Sequence, residues 1–149
     1  MVIHASVPAV MDALKTLLDA RPGLDGVRIR TGVTGDKEGK DALEIYGIDE
    51  AESTWKDLGN RTIKETYAVV GEIWVHRSGG DSEADMKRAR DGAFAVYDEL
   101  LQTIQTNPNI GGEVTQITEW TYQFVQIFDS EQRIARLAFE IRIMNQLRS

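Results

Sequence analysis

The sequence predicts an α+β fold: a two-layer sandwich in which two helices cover one face of a mainly antiparallel sheet of about five strands. Two segments carry apolar residues at helical spacing, and most of the remaining chain alternates apolar and polar residues as strands do. The last two alternating segments are separated only by Asp129, Ser130 and Glu131, which predicts a long C-terminal β-hairpin.

The first predicted helix covers residues 6–20. Its apolar residues recur at helical intervals: Val7, Val10, Met11, Leu14, Leu17 and Leu18. Ser6 is expected to cap its N-terminus, and Pro8 suits the first turn, where a missing N–H costs nothing. Pro22 and Gly23 predict that the helix ends before them.

Three strands are predicted between the helices. Residues 26–32 and 42–48 form two short strands around a polar, glycine-rich turn at 34–41. Residues 49–64 are the least regular and are expected to form a loop. Residues 65–76 carry the strongest strand pattern of this half, with one face almost fully apolar: Tyr67, Val69, Gly71, Ile73 and Val75.

The second predicted helix begins at a cap on Asp81 or Ser82 and ends near Pro108. Residues 113–128 and 133–147 then form the two strands of the hairpin. The core is expected between the helix-facing row of the sheet and the apolar rows of the helices: Val69, Ile73, Leu137, Phe139 and Ile141 against Leu14, Leu17, Tyr97, Leu100 and Leu101.

Length and composition indicate one domain over residues 1–149, with 42% hydrophobic and 28% charged residues. The net charge of −7 argues against a nucleic-acid clamp, which needs clustered Lys and Arg. The absence of cysteine excludes disulfides, thiolate zinc sites and cysteine nucleophiles. No apolar run approaches the roughly 20 residues of a membrane helix, and the N-terminus lacks a secretory pattern, so synthesis in the cytoplasm is expected.

The sequence shows no catalytic, cofactor or metal motif. Residues 35–41 resemble a phosphate-binding loop, but the glycine spacing is one residue short and Asp41 replaces the Ser or Thr that would hold magnesium. The same residues do not fit the register of a calcium loop. The only histidines, His4 and His76, lack a metal-binding spacing.

The sheet face opposite the helices is predicted to be more apolar than a solvated face should be. Val70 and Trp74 lie on it in strand 65–76, and strand 113–128 carries large apolar residues on both faces. A β-bulge that switches the phase, or a third layer formed by residues 49–64, would account for this. We favour a contact between subunits, because monomers seldom expose large apolar patches.

The segment from Trp55 to Gly71, WKDLGNRTIKETYAVVG, resembles a stretch in tail terminator and tail completion proteins of long-tailed bacteriophages. In those proteins a Trp and a Gly precede an Arg, a Glu and an alternating strand, as Trp55, Gly59, Arg61 and Glu65 do here. The order of predicted elements over residues 7–147 is similar too.

The resemblance implies a structural virion protein, made in the host cytoplasm, that forms a ring, typically a hexamer. Such a ring caps the head-proximal end of the tail tube, stops its polymerisation and docks on a neck or connector protein. DNA passes through the lumen without specific binding, which an acidic lumen would favour by repulsion. The implied ring, together with the apolar sheet face opposite the helices, identifies candidate subunit or partner contacts. They are Trp55, Arg61, Val70, Glu72, Trp74, Arg77, Ser78, Gly79, Gly80, Arg136 and Arg142.

The glycine-rich link at residues 77–80, like the turn at 34–41, is expected to be flexible in a free subunit and ordered by partners. Two alternatives stay open. The chain could be another head–tail joining protein of the same particle. It could instead be a small enzyme or ligand-binding domain that uses Glu72, Glu119 and Glu140, in which case Glu72 and Glu140 must meet in one pocket with raised pKa values.

Overall fold

The computed structural model describes residues 6–32, 41–57, 62–128 and 132–148, and their fold is the predicted α+β sandwich. In chain order the elements are α1 (Val7–Asp19), a 3-10 turn (Pro22–Leu24), β1 (Arg28–Thr31), β2 (Ala42–Asp57), β3 (Thr62–Arg77), α2 (Ser82–Thr106), β4 (Gln116–Phe128) and β5 (Arg133–Arg148). The described strands form one five-stranded sheet in the order β1-β2-β3-β5-β4. Only β1 and β2 are parallel, and β4 and β5 are the predicted hairpin strands.

Strand β2 is much longer than predicted, and the loop expected at residues 49–64 is wrong. β2 continues to Asp57 and pairs with β3, which starts at Thr62. Register shifts between Ile45 and Gly47, and again near Glu52 and Asp57, interrupt the pairing. Such bulges break the two-residue alternation, so the segment looks irregular in sequence. Because β2 extends the sheet in its own plane, the described part of this segment forms no third layer.

Strand β4 starts at Gln116 instead of residue 113, because residues 108–113 form turns. A register shift between Ile117 and Glu119 changes the phase of the strand. Ile117 therefore lies on the helix side together with Trp120, opposite buried residues of β5. The bulge explanation is confirmed for this end of β4, whereas Val125, paired with an arginine of β5, faces away from the helices.

The core lies where it was predicted, between the helices and the odd-numbered residues of β3 and β5. Eight of the ten predicted core residues are buried: Val69, Ile73, Leu137, Phe139, Ile141, Leu14, Tyr97 and Leu100. Leu17 and Leu101 are partly buried and pack against this cluster. The predicted cap of α2 is also confirmed, because the Asp81 carboxylate accepts hydrogen bonds from the N–H groups of Glu83 and Ala84.

Helix α1 begins where predicted, but Ser6 does not cap it in the expected way. The Ser6 hydroxyl donates to the Glu65 carboxylate of β3, and the same carboxylate oxygen accepts the Ser6 N–H at 3.1 Å. Asn145 of β5 donates to the Ser6 hydroxyl at 2.6 Å and accepts the Thr115 N–H at 2.6 Å. All three residues of this polar network are buried: Ser6, Glu65 and Asn145. The network links the start of α1 and the residue before β4 to the inner strands β3 and β5 by hydrogen bonds.

We expect Asn145→Ala to lower the free energy of unfolding by about 1–3 kcal/mol, because the buried Ser6 hydroxyl and the Thr115 N–H each lose their hydrogen bond to Asn145. The matched control is Gln146→Ala, the next residue along β5, whose side chain is half-buried. Chemical denaturation measures both variants. Equal stability of the two variants would show that the network does not hold α1.

Leu100 and Leu101 provide a test of the core within one helix. Leu100 is 0% exposed, and Leu101 is only partly buried. Leu100→Ala should cost about 2–5 kcal/mol, and Leu101→Ala clearly less, because a smaller cavity remains. Thermal melting of the two variants compares them, and a larger loss for Leu101→Ala would place the core elsewhere.

Candidate subunit interface

The candidate site is the face of the sheet opposite the helices, called the outer face from here on. β3 and β5 pair without a register shift from Thr62, opposite Arg148, to Arg77, opposite Arg133. The alternation of side chains therefore holds along both strands. The even-numbered residues point to the outer face, among them five of the predicted contact residues: Val70, Glu72, Trp74, Arg136 and Arg142.

Glu72 organises the centre of the outer face. Its carboxylate accepts hydrogen bonds from three side chains on three neighbouring strands. The Trp74 indole N–H of β3 lies 2.7 Å from Oε2, and the Tyr46 hydroxyl of β2 lies 3.0 Å from Oε1. Arg136 of β5 donates to Oε1 through Nε at 3.0 Å and also through Nη2. One carboxylate thus fixes the positions of an indole, a phenol and a guanidinium.

Arg136 also covers part of Trp74. Its guanidinium carbon lies 5.7 Å from the centre of the indole ring, close enough for a cation–π interaction. The side chain of Arg136 is 33% exposed, while that of Glu72 is 12% exposed. The carboxylate is therefore the sheltered member of the cluster, and the guanidinium is its accessible member.

The cluster changes the acidity of its members. Burial alone would raise the pKa of the Glu72 carboxyl, but the hydrogen bonds from Arg136, Trp74 and Tyr46 outweigh it and hold the pKa below its ordinary value. Burial, and then the hydrogen bond to Glu72, raises the pKa of the Tyr46 phenol. Glu72 is consequently ionised and Tyr46 neutral at pH 7.

A second carboxylate lies beside Glu72. Glu44 of β2 is directly opposite Glu72 in the antiparallel register and is only 2% exposed. Its Oε1 has no hydrogen-bond partner in the part of the chain that the structure describes. Neighbouring carboxylates on adjacent strands repel each other. An arginine lies beside each of the two carboxylates, since Arg136 pairs with Glu72 and the register places Arg30 of β1 opposite Glu44.

The remaining charged residues of the outer face are held more loosely. Arg142 Nε lies 3.5 Å from Glu119 Oε2, and both side chains are more than a third exposed, so this pair adds little stability. The Thr121 hydroxyl donates to Glu140 Oε2 at 3.5 Å, a long hydrogen bond. The pairing register places Glu140 opposite Val70, whereas Glu72 lies opposite Ala138.

The structure does not bring all the predicted contact residues to this face. Arg77 is an odd-numbered residue of β3, so it points to the helix side and not to the outer face. There it makes a bidentate ion pair with Asp41, with N–O distances of 2.8 and 3.0 Å. Ser78, Gly79 and Gly80 are exposed between β3 and α2, and the Gly79 N–H donates to Asp85 Oδ2 at 3.0 Å. This link is therefore attached to α2, and the flexibility expected of it stays a prediction.

The backbone of Trp55 lies in β2, opposite Ile63, but its side chain lies outside the described residues. Arg61 lies outside them too, as does the turn predicted at 34–41 except for Asp41.

Tyr46 is the functional candidate that the sequence did not indicate. It is the residue left unpaired in β2 by the register shift between Ile45 and Gly47. A bulge redirects a side chain, and here it brings the phenol over Glu72. The glycine that follows Tyr46 was the only local sign of a bulge in the sequence.

Comparison with known proteins adds no family assignment. A scan against protein-family models finds no match, and a search of curated proteins finds no significant match. Neither helix of the described chain is long and apolar enough to cross a membrane. Within the same residues, no three acidic or histidine side chains are grouped so that they could hold a metal ion.

The charge of Glu72 should make stability depend on pH. A lowered folded-state pKa means that the ionised carboxylate stabilises the fold above the ordinary value of 4.5, and that this stabilisation is lost as the pH falls through the folded-state value. We expect Glu72→Gln to be less stable than the wild type at pH 7, with the difference shrinking below about pH 4.5.

Denaturation curves between pH 7 and pH 3 measure this difference. The matched control is Glu140→Gln, on the same face but without an ion pair in the described contacts. A constant difference between wild type and Glu72→Gln across this range would contradict the ionised cluster.

Proposed function

We propose that this chain is a structural virion protein that forms a homo-oligomeric ring of six copies at the head-proximal end of the tail tube of a long-tailed bacteriophage. The ring ends polymerisation of the tube and presents a docking surface to a neck protein. The resemblance of residues 55–71 to tail terminator proteins supports this proposal, and the outer face with its fixed Trp74 and Arg136 is the observation that carries the subunit contact.

The chemistry of the cluster suits a subunit contact. Trp, Tyr and Arg are the residues that most often dominate binding energy at protein interfaces, and here one of each surrounds a single carboxylate. Their side chains are already held by hydrogen bonds in the single subunit. Association then costs little side-chain entropy, which favours binding by a preorganised surface.

A closed ring requires that this face meets a different surface on the next subunit. Glu72 already has its hydrogen bonds within its own subunit, so the contact need not supply a partner for this charge. The more exposed pair of Arg142 and Glu119 lies towards the β4 side of the outer face. Such rim charges set the register and the association rate more than the affinity.

A different neck component of the particle would use the same surface, and the partner that the ring binds distinguishes the two: a tail tube protein or a connector protein. The enzyme alternative is less favoured. It requires Glu72 with a raised pKa as a proton donor, whereas its three donors lower that pKa.

The test is electron microscopy of the purified protein, alone and after mixing with tail tube protein. The wild type should form rings in at least one of these conditions. Trp74→Ala should remain folded, with a melting temperature lowered only by the loss of its hydrogen bond to Glu72, but form no rings, and Arg142→Glu should weaken ring formation. Gln105→Ala, on the exposed surface of α2, is the matched control and should assemble normally.

Two results would contradict the proposal. One is the absence of rings from the wild type in both conditions. The other is a Trp74→Ala protein whose folded fraction still assembles normally, because Trp74 would then serve only the subunit itself.

A further inference from the structure

Strand β4 is a long edge of the described sheet. It pairs with β5 on one side and with no other described strand, so it ends the sheet order. It is 13 residues long, whereas β1, at the opposite edge, has four. Along the unpaired side of an edge strand, the backbone N–H and C=O groups can form hydrogen bonds with a strand of another chain.

This edge lacks the features that usually prevent pairing. Edge strands are commonly protected by lysine, proline, bulges or shortness. β4 contains no lysine and no proline, and its one charged residue, Glu119, lies near its start. The only register shift is also at that end, between Ile117 and Glu119, so residues 120–128 form a regular, uncharged edge.

Apolar exposure in the described chain is concentrated on the same strand. Among these residues, the large hydrophobic side chains classed as exposed are Tyr122, at 51%, and Val125, at 46%. Register with β5 puts Tyr122 on the helix side and Val125 on the outer face. Both faces of the edge therefore present an apolar side chain that a strand laid alongside would cover.

We propose that β4 pairs antiparallel with β4 of a second copy of this chain, across a two-fold axis at Gln123. The five-stranded sheet then continues as one sheet through both copies, with the helices of both on the same side. This contact is made by the backbone edge of β4, whereas the proposed ring uses the outer face around Glu72, and the edge contact does not rest on the ring.

A second copy is the occupant that fits this edge best. Within the described sheet, only β4 itself offers an open edge as long as β4, since β1 is short. The position of Glu119, the one charged residue of β4, favours antiparallel over parallel pairing. Parallel self-pairing in register would place Glu119 beside its own copy, and like charges on adjacent strands destabilise a sheet. Antiparallel pairing separates the two carboxylates to opposite ends of the contact.

The centre of the regular segment gives favourable cross-strand pairs. With the axis at Gln123, Tyr122 of one copy lies opposite Phe124 of the other on the helix side, twice by symmetry. Val125 lies opposite Thr121 on the outer face. Aromatic and β-branched pairs of this kind stabilise antiparallel strands.

The aromatic side chains at this edge are already held in place. The Tyr122 ring lies 5.9 Å from Phe94 and 5.0 Å from Tyr97, both on α2, and Phe124 lies 5.0 Å from Phe94. These edge-to-face and tilted contacts fix the rings of β4 before any partner arrives. The Tyr122 and Phe124 rings are therefore in position for the cross-strand pairs in the single subunit.

The test uses the property that a residue on a two-fold axis faces its own copy. Gln123→Glu and Gln123→Lys should each raise the dimer dissociation constant at least about fivefold, because like charges then lie opposite each other. An equimolar mixture of the two variants should restore dimers at the wild-type level or better, since Glu then faces Lys. Sedimentation equilibrium measures the dissociation constants.

The matched controls are Gln105→Glu and Gln105→Lys on the exposed surface of α2, which should leave the dimer unchanged. Restoration by mixing also shows that the single variants are folded. A second experiment uses the absence of native cysteine: Gln123→Cys should form a disulfide-linked dimer on mild oxidation, whereas Gln105→Cys should not.

Three results would overturn the proposal: a wild type that is monomeric at high concentration, Gln123 variants that associate as the wild type does, or variants that weaken association without rescue on mixing. Trp74→Ala separates this contact from the ring. It should abolish rings and leave the β4 dimer intact, so a failure of either contact can be recognised without the other.

Discussion

The uninterrupted pairing of β3 with β5 is the constraint on which the rest of the structure depends. Each strand has 16 residues, and every residue from Thr62 to Arg77 has a partner in register. Because side chains alternate with a period of two, this ladder sends one row to the helices and the other to the outer face. A slip by one residue would push Arg136 into the core, at the cost of burying an unpaired charge. The core thus fixes the geometry of the outer face.

The sequence was sufficient for the parts of the fold that follow regular periodicity. Both helices, the cap at Asp81, β5 and the helix-facing row of β3 were predicted because packing demands apolar residues at fixed intervals there. The first half of β2, residues 42–48, was predicted as well, but its continuation to Asp57 was missed, because bulges break the alternation there and pairing with β3, not the local sequence, keeps the segment extended. The role of Ser6 was also missed, since its partners Glu65 and Asn145 are distant in sequence.

The sequence predicts the candidate site in part, because regular alternation along β3 and β5 shows which residues share a face. Trp74 and Arg136 follow from alternation alone, and both lie on the outer face as expected. Alternation does not indicate that Trp74 and Arg136 both donate hydrogen bonds to Glu72. It also does not indicate that a bulge brings the Tyr46 hydroxyl to the same carboxylate. Arg77 is a predicted contact residue as part of the link at residues 77–80, but as an odd-numbered residue of β3 it points to the helix side and pairs with Asp41. Alternation along β3 therefore excludes Arg77 from the outer face.

The two proposed contacts differ in what holds them. The outer face offers fixed side chains around Glu72, so its affinity depends on burying Trp74 and on matching a particular neighbouring surface. The β4 edge offers mainly backbone groups, and its specificity comes from strand length and from the position of Glu119. A backbone hydrogen bond gains only about 0.5–1.5 kcal/mol net, because water satisfies the same groups in the free edge.

This difference has a consequence for assembly. A two-fold edge contact uses one edge from each copy and closes at two, so it protects the edge from open-ended sheet growth. A heterologous face contact is extensible and becomes finite only when the ring closes. Because the edge contact consists largely of main-chain pairing, its strength depends on strand length and register, whereas the face contact depends on a surface that fits Trp74 and Arg136. A subunit with both surfaces can therefore be stored as a dimer through β4 and still reserve its outer face for a specific neighbour.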